Sequence, residues 1–117
     1  MKHQNLIIRT KEFAHDCVKL ALALPNNKLG LHIQGQLIIC STSVAANYRA
    51  ANLAQSKASF IAKLGIVLEE ADESAFWLEF IIDEKLLNSE VLTDLLNEAK
   101  ELTAIFISSR KTSQQNK

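Results

Sequence analysis

Apolar residues recur along this chain at steps of three and four, in four separate stretches. In the first, Leu6, Phe13, Cys17, Leu20 and Leu24 fall on one side of a helix, with Arg9, Glu12, Asp16 and Lys19 opposite. That spacing predicts a helix over 4–24. Pro25-Asn26-Asn27 stops it, because proline disfavours helix in the residue before it and Asn suits a turn; Gly30 closes the connector. A second helix is predicted over 31–53, with Ile33, Leu37, Cys40, Val44, Asn47 and Ala51 on one stripe. A third, over 56–84, starts at Ser56 as N-cap and carries a seam of Ile61, Leu64, Leu68, Ala71, Ala75, Leu78 and Ile82. Its 3.5-residue period implies near-parallel, left-handed packing against neighbours. The fourth, capped by Asn88 or Ser89, covers 89–110 with Leu92, Leu95, Ala99, Leu102, Phe106 and Ser109 inward. The end, 111–117, has no apolar residue and is expected to fray.

Four periodic stretches joined by short connectors make an all-α, antiparallel, up-down-up-down four-helix bundle, one domain over 1–117. The chain is long enough to bury about two-thirds of its unfolded surface, so it needs neither a disulfide nor a metal. With 48% hydrophobic residues, three Gly and one Pro, the composition also disfavours an all-β fold.

Helices 2 and 3 hold more apolar residues than one buried side requires. Ile38 and Ile39 lie off the helix 2 stripe, and Ile66, Phe76, Trp77 and Phe80 lie off the helix 3 seam. A helix apolar on more than one side wants more than one neighbour, and a monomer rarely exposes such a set. These residues, with Tyr48 and Glu70, are the candidate interface. Between Ser41 and Ala46 every residue except Val44 is small, which lets another backbone approach. Asn47, polar within an apolar stripe, is expected to bond backbone groups and set register.

The block from Thr42 to Leu78 also carries a resemblance. Thr42-Ser43-Val44, Ala46-Asn47-Tyr48-Arg49, Ser56-Lys57-Ala58, Phe60 through Ile66, Glu70-Ala71-Asp72-Glu73 and Trp77-Leu78 resemble the bacterial four-helix-bundle family of 23S rRNA intervening-sequence proteins. The resemblance spans roughly 13–112. It implies an up-down-up-down bundle that assembles as a homopentamer without enzyme activity. A related branch, the accessory variability determinants of diversity-generating retroelements, binds a reverse transcriptase and nucleic acid. This chain departs from the family at Ile39, where an Arg is usual, at Ser41 and Ala45, where Gly is usual, and at Ala50, where Glu is usual. Glu70, whose neighbour on helix 2 falls near Ile39, therefore lacks the family's Arg. It is expected to pair across a subunit boundary, with Arg49 as the candidate partner.

Candidate chemistry is sparse. Glu12 and His15 form half of a di-iron bundle motif, but neither His3 nor His32 supplies a second half. Glu69, Glu70, Asp72 and Glu73 lie on one continuous helix, which offers a hard cation too few oxygens. No Ser/His/Asp or Cys/His arrangement and no Gly-rich phosphate loop is present. The expectation is a non-enzyme with no cofactor and no metal. Cys17 and Cys40 fall in apolar stripes, as buried thiols of a reducing cytosol do. No apolar run approaches the about 20 residues of a membrane span, and the start has no secretory pattern, so a cytoplasmic protein without a membrane partner is expected.

Net charge is zero but unevenly spread. Residues 1–63 hold eight Lys/Arg and two acids, whereas 64–101 hold two Lys and eleven acids. Two functions follow. The favoured one is a homo-oligomeric scaffold or adaptor, pentameric by the resemblance, that recruits another protein such as a reverse transcriptase. The alternative is an accessory protein that binds structured RNA or DNA through Arg49, Lys57 and Lys63. The acidic second half weakens it, although a ring repeats the basic first half and gains avidity.

Overall fold

The computed structural model describes residues 5–116, all of them in four helices and their connectors. Helix α1 spans Leu6–Leu22, α2 Lys28–Ala51, α3 Lys57–Asp83 and α4 Glu90–Gln115. Each starts on a side chain that accepts an otherwise free backbone N–H. Asn5 accepts from Ile7 at 2.8 Å, Asn27 from Gly30 at 2.8 Å, Ser56 from Ser59 at 3.0 Å and Ser89 from Val91 at 3.2 Å. Such a cap contributes about 1 kcal/mol.

Several boundaries differ from the sequence expectation. Helix α2 begins three residues early because Asn27, not Gly30, is its cap. Gly30 is buried in the first turn, where a Cβ would stand 2.0 Å from the Pro25 carbonyl oxygen. Its glycine serves close approach, not a turn. Helix α3 closes through Lys85, at φ 54, whose N–H donates to Ile82 O while Leu86 N–H donates to Ile81 O. This is the two-bond C-terminal closure that glycine usually supplies. Helix α4 runs on to Gln115, so 111–115, expected to fray, are helical. No Gly or Pro interrupts that stretch, and Arg110 lies across Gly65 of α3, where a Cβ would meet its guanidinium at 2.9 Å. The predicted start at Gln4 and the final Lys117 lie outside the described residues.

The helices pack in chain order, α1 on α2, α2 on α3 and α3 on α4, with α4 returning to α1 over a shorter stretch. Neighbours run antiparallel: His32 meets Trp77 and Cys40 meets Ser74 across α2 and α3, while Glu79 meets Lys100 and Gly65 meets Arg110 across α3 and α4. The bundle measures 49 × 26 × 21 Å.

The core follows the predicted stripes of α1, α2 and α4 closely, with Phe13, Cys17, Ile33, Leu37, Val44, Leu95, Leu102 and Phe106 buried. Along α3 the seam shifts. Ile82 is 37% exposed, while Val67, Ser74 and Ile81 are buried. Val67, Ser74 and Ile81 are spaced by seven and share one flank of the helix, so the buried side of α3 is turned toward that flank relative to the predicted seam. Arg9, expected on the solvent side, is drawn in as well. Its guanidinium donates to both carboxylate oxygens of Glu98, at 2.7 and 2.8 Å, and also to Glu101. This bidentate pair ties α1 to α4 where the two helices touch least. The same carboxylates push the Arg9 pKa further up.

Helix α2 also departs from expectation in being long and apolar enough, by length and composition, to cross a membrane. Of that apolar window 33% is buried inside the bundle, and Leu29, Leu31 and Ile39 are the exposed large apolar residues of α2.

Replacing an interior helix glycine by alanine ordinarily adds about 0.5–1 kcal/mol of stability. At Gly30 the clash with Pro25 reverses the sign, and Gly30→Ala is expected to lose about 1–3 kcal/mol. Urea unfolding checks this; an unchanged or higher midpoint contradicts it.

Candidate interaction surface

The outer side of α3 is built at helical spacing. Ile66, Glu70, Glu73, Trp77 and Phe80 succeed one another at steps of four and three, so they share one side of the helix. Trp77 marks where that side lies: its ring meets His32 of α2 edge-on, with centroids 5.6 Å apart. Phe76 stands 4.9 Å from Trp77 and 5.9 Å from Phe80, closing a three-ring cluster. Phe76 is 50% exposed, Ile66 40% and, on α2, Ile39 63%. Trp77 and Phe80 are half-buried against the core beneath. Of the expected interface residues, Ile39, Ile66 and Phe76 are thus exposed, whereas Glu70, Trp77 and Phe80 are half-buried.

Two others do not stand out. Tyr48 packs its ring 5.3 Å from Phe106 and Ile38 rests on the core, so both are half-buried packing residues more than free surface. The sequence placed them outward because each lies off the main α2 stripe. The neighbouring helices cover that flank. Asn47 donates to Ser43 O at 3.0 Å and to Ser43 Oγ at 2.8 Å, a local bond within α2.

Acidic groups border the aromatic cluster. Among the described residues, the ion pairs join Arg9 to Glu98 and Glu101, and Lys100 to Glu79. None of them involves Glu69, Glu70, Asp72 or Glu73. Glu73 accepts from the Trp77 indole at 3.2 Å. Partial burial, then the charges of Glu73 and Glu69, hold the Glu70 carboxyl above its ordinary pKa. Its proposed partner Arg49 lies elsewhere on the same chain.

Arg49 lines a groove of about 500 Å³ between α1 and α2. Lys11 and His15 share it, and Ala14, Ala45 and Ala46 form much of its floor. The floor is legible in the sequence as the small-residue run, but its pairing with Lys11 and His15 of α1 was not, since it depends on how α1 lies against α2. Lys57 is exposed and Lys63 half-buried on α3, and neither lines the groove. The three candidate nucleic-acid contacts therefore do not form one site.

Buried polar groups gather at the centre. Ser74 Oγ donates to Cys40 Sγ at 3.3 Å, and the Cys40 thiol reaches toward Leu37 O at 3.7 Å. Burial pushes the Cys40 thiol up to about 11, and burial with the nearby Cys40 raises Cys17 further. A thiol held protonated is a poor nucleophile. Among the described residues no three His, Cys, Asp or Glu converge as a metal site.

Comparison with known proteins gives a family and a fold. The family model described as 23S rRNA-intervening sequence protein matches residues 2–108. A crystal structure of a protein of unknown function from the S23 ribosomal protein family of Bacteroides thetaiotaomicron VPI-5482 is similar to this chain. The two are 34% identical, with 92% of this chain and 99% of that one covered and a TM-score of 0.84. No curated protein matches.

Both cysteines are fully buried. Neither is expected to react with a thiol reagent such as Ellman's at pH 8 in the folded protein, and both are expected to react in denaturant. Rapid reaction of either one under native conditions contradicts this placement.

Proposed function

The chain belongs to the 23S rRNA-intervening sequence protein family, and from that premise we propose that it is a non-catalytic, self-associating helical scaffold that presents a multivalent surface to another protein. The observation that carries this reading is the uncovered apolar surface of Ile39, Ile66 and Phe76 beside Trp77 and Phe80. Such a patch, rimmed by carboxylates, is typical of protein interfaces, and Trp is enriched at their centres. A pentamer is the number implied by the family resemblance. The non-catalytic reading is supported by the exposed positions of His15 and His32, on separate helices, and by the protonated thiols. Reduced, buried cysteines suit a cytoplasmic setting.

Nucleic-acid binding is the weaker reading. It is supported by Lys11 and Arg49 at the groove rim, and weakened because Lys57 and Lys63 do not line that groove and by the acidic ridge on α3. A titration with structured RNA at two salt concentrations separates the two, since phosphate contacts weaken steeply with salt.

The test of the scaffold reading uses the exposed residues, whose change spares the core. Light scattering at micromolar concentration is expected to give a multiple of 13.0 kDa for the wild type. The double variant Ile39→Glu with Phe76→Glu is expected to give 13.0 kDa with unchanged helical circular dichroism. A wild-type mass of 13.0 kDa, or a variant that assembles like the wild type, contradicts the reading.

A further inference from the structure

Two surfaces of one chain carry opposite charges, and neither is matched by an ion pair among the described residues. The α1/α2 groove has Lys11, His15 and Arg49 around a floor of small residues. The α3 ridge has Glu69, Glu70, Asp72 and Glu73 between the exposed Ile66 and Phe76. Among the described residues, Lys11 and Arg49 enter no ion pair, and neither do these four acids. We propose that the α1/α2 groove is the docking site for the acidic ridge of α3 from a second copy of this chain, an inference that rests on the self-association reading.

Three features make the fit physical. Ala14, Ala45 and Ala46 hold the groove floor low, so another helix can approach closely. The groove's volume of about 500 Å³ can take an aromatic side chain such as Phe76, whose face is half exposed in the single chain. Lys11 and Arg49 at the rim meet the like-charged carboxylates Glu69 and Glu73, one turn apart on α3. Opposite charges at the edge of an apolar contact set its register and exclude like-charged alternatives. The groove belongs to α1 and α2 and the ridge to α3, so the contact is head-to-tail: each copy offers one of each, and assembly continues until the ring closes.

Charge reversal tests the pairing. Lys11→Glu with Arg49→Glu spoils the groove, and Glu69→Lys with Glu73→Lys spoils the ridge; all four side chains lie outside the core. Each double variant alone is expected to sediment as a 13.0 kDa monomer with wild-type helicity, and a chain carrying all four reversals, whose groove and ridge are again complementary, is expected to regain assembly. If the wild type assembles but either double variant still assembles as it does, or the fourfold variant stays monomeric, the groove-to-ridge pairing is overturned and self-association stands. If the wild type is itself monomeric, the self-association reading fails and takes this pairing with it. Should a reversed variant lose helicity, Arg49→Gln and Glu69→Gln replace it. Each is expected to weaken assembly about fivefold, and the two together no more than either alone, because they remove one shared interaction. Multiplicative losses overturn the pairing.

Discussion

Four helices around one axis can bury one side of each, and α2 and α3 carry apolar residues on more than one. Everything distinctive about this chain follows from that surplus. The inward sides are consumed by a single core running from Phe13 and Ile33 to Leu102 and Phe106. Among the apolar residues left exposed, Ile39 on α2 and Ile66 and Phe76 on α3, with the half-buried Trp77 and Phe80 beside Phe76, cannot turn inward without pulling core residues out. Hydrophobic surface left in water costs about 25 cal/mol per Å². Covering it by another chain is the inexpensive solution.

Charge decides how such a cover is oriented. The bundle closes on itself through a half-buried ion pair, Arg9 with Glu98, which serves the weakest helix contact. Lys11 and Arg49 of the α1/α2 groove and Glu69, Glu70, Asp72 and Glu73 of α3 enter no ion pair among the described residues. An apolar patch alone would permit many arrangements. Unmatched charges of opposite sign on separate faces favour one, in which unlike surfaces meet. The interior chemistry, two protonated thiols among serine hydroxyls, takes no part in this and serves packing alone.

Much of the fold was legible because helical periodicity reports burial directly. The stripes of α1, α2 and α4 give nearly their whole core, and Ser56 and Ser89 cap as their side chains predict. The errors have physical causes. Gly30 looked like a connector residue because glycine usually marks turns, yet it answers a contact with Pro25 that only the tertiary path creates. The α3 seam moved from Ile82 to Ile81 because the buried side takes in the flank of Val67, Ser74 and Ile81, which depends on where the neighbouring helices lie. The polar end of α4 looked prone to fraying because its support comes from Gly65, about 45 residues earlier in the chain. At the candidate surface the aromatic cluster was visible as residues off the seam, whereas the covering of Tyr48 by Phe106 was not. The groove was half visible: its alanines are local, but Lys11 and His15 join them only through the packing of α1 on α2. Function is the least legible level, since a scaffold's chemistry lies partly in its partner.

The central claim is that the apolar surface of α2 and α3 is covered in solution by further copies of the chain. Small-angle X-ray scattering tests it most directly, because it reports mass and dimension together. A lone bundle has a Cα radius of gyration of 14.7 Å and a mass of 13.0 kDa. The account predicts forward scattering equal to a whole-number multiple of that mass, with a clearly larger radius of gyration at micromolar concentration. A profile matching the single bundle, with a radius near 14.7 Å and a mass of 13.0 kDa across the concentration series, would contradict it.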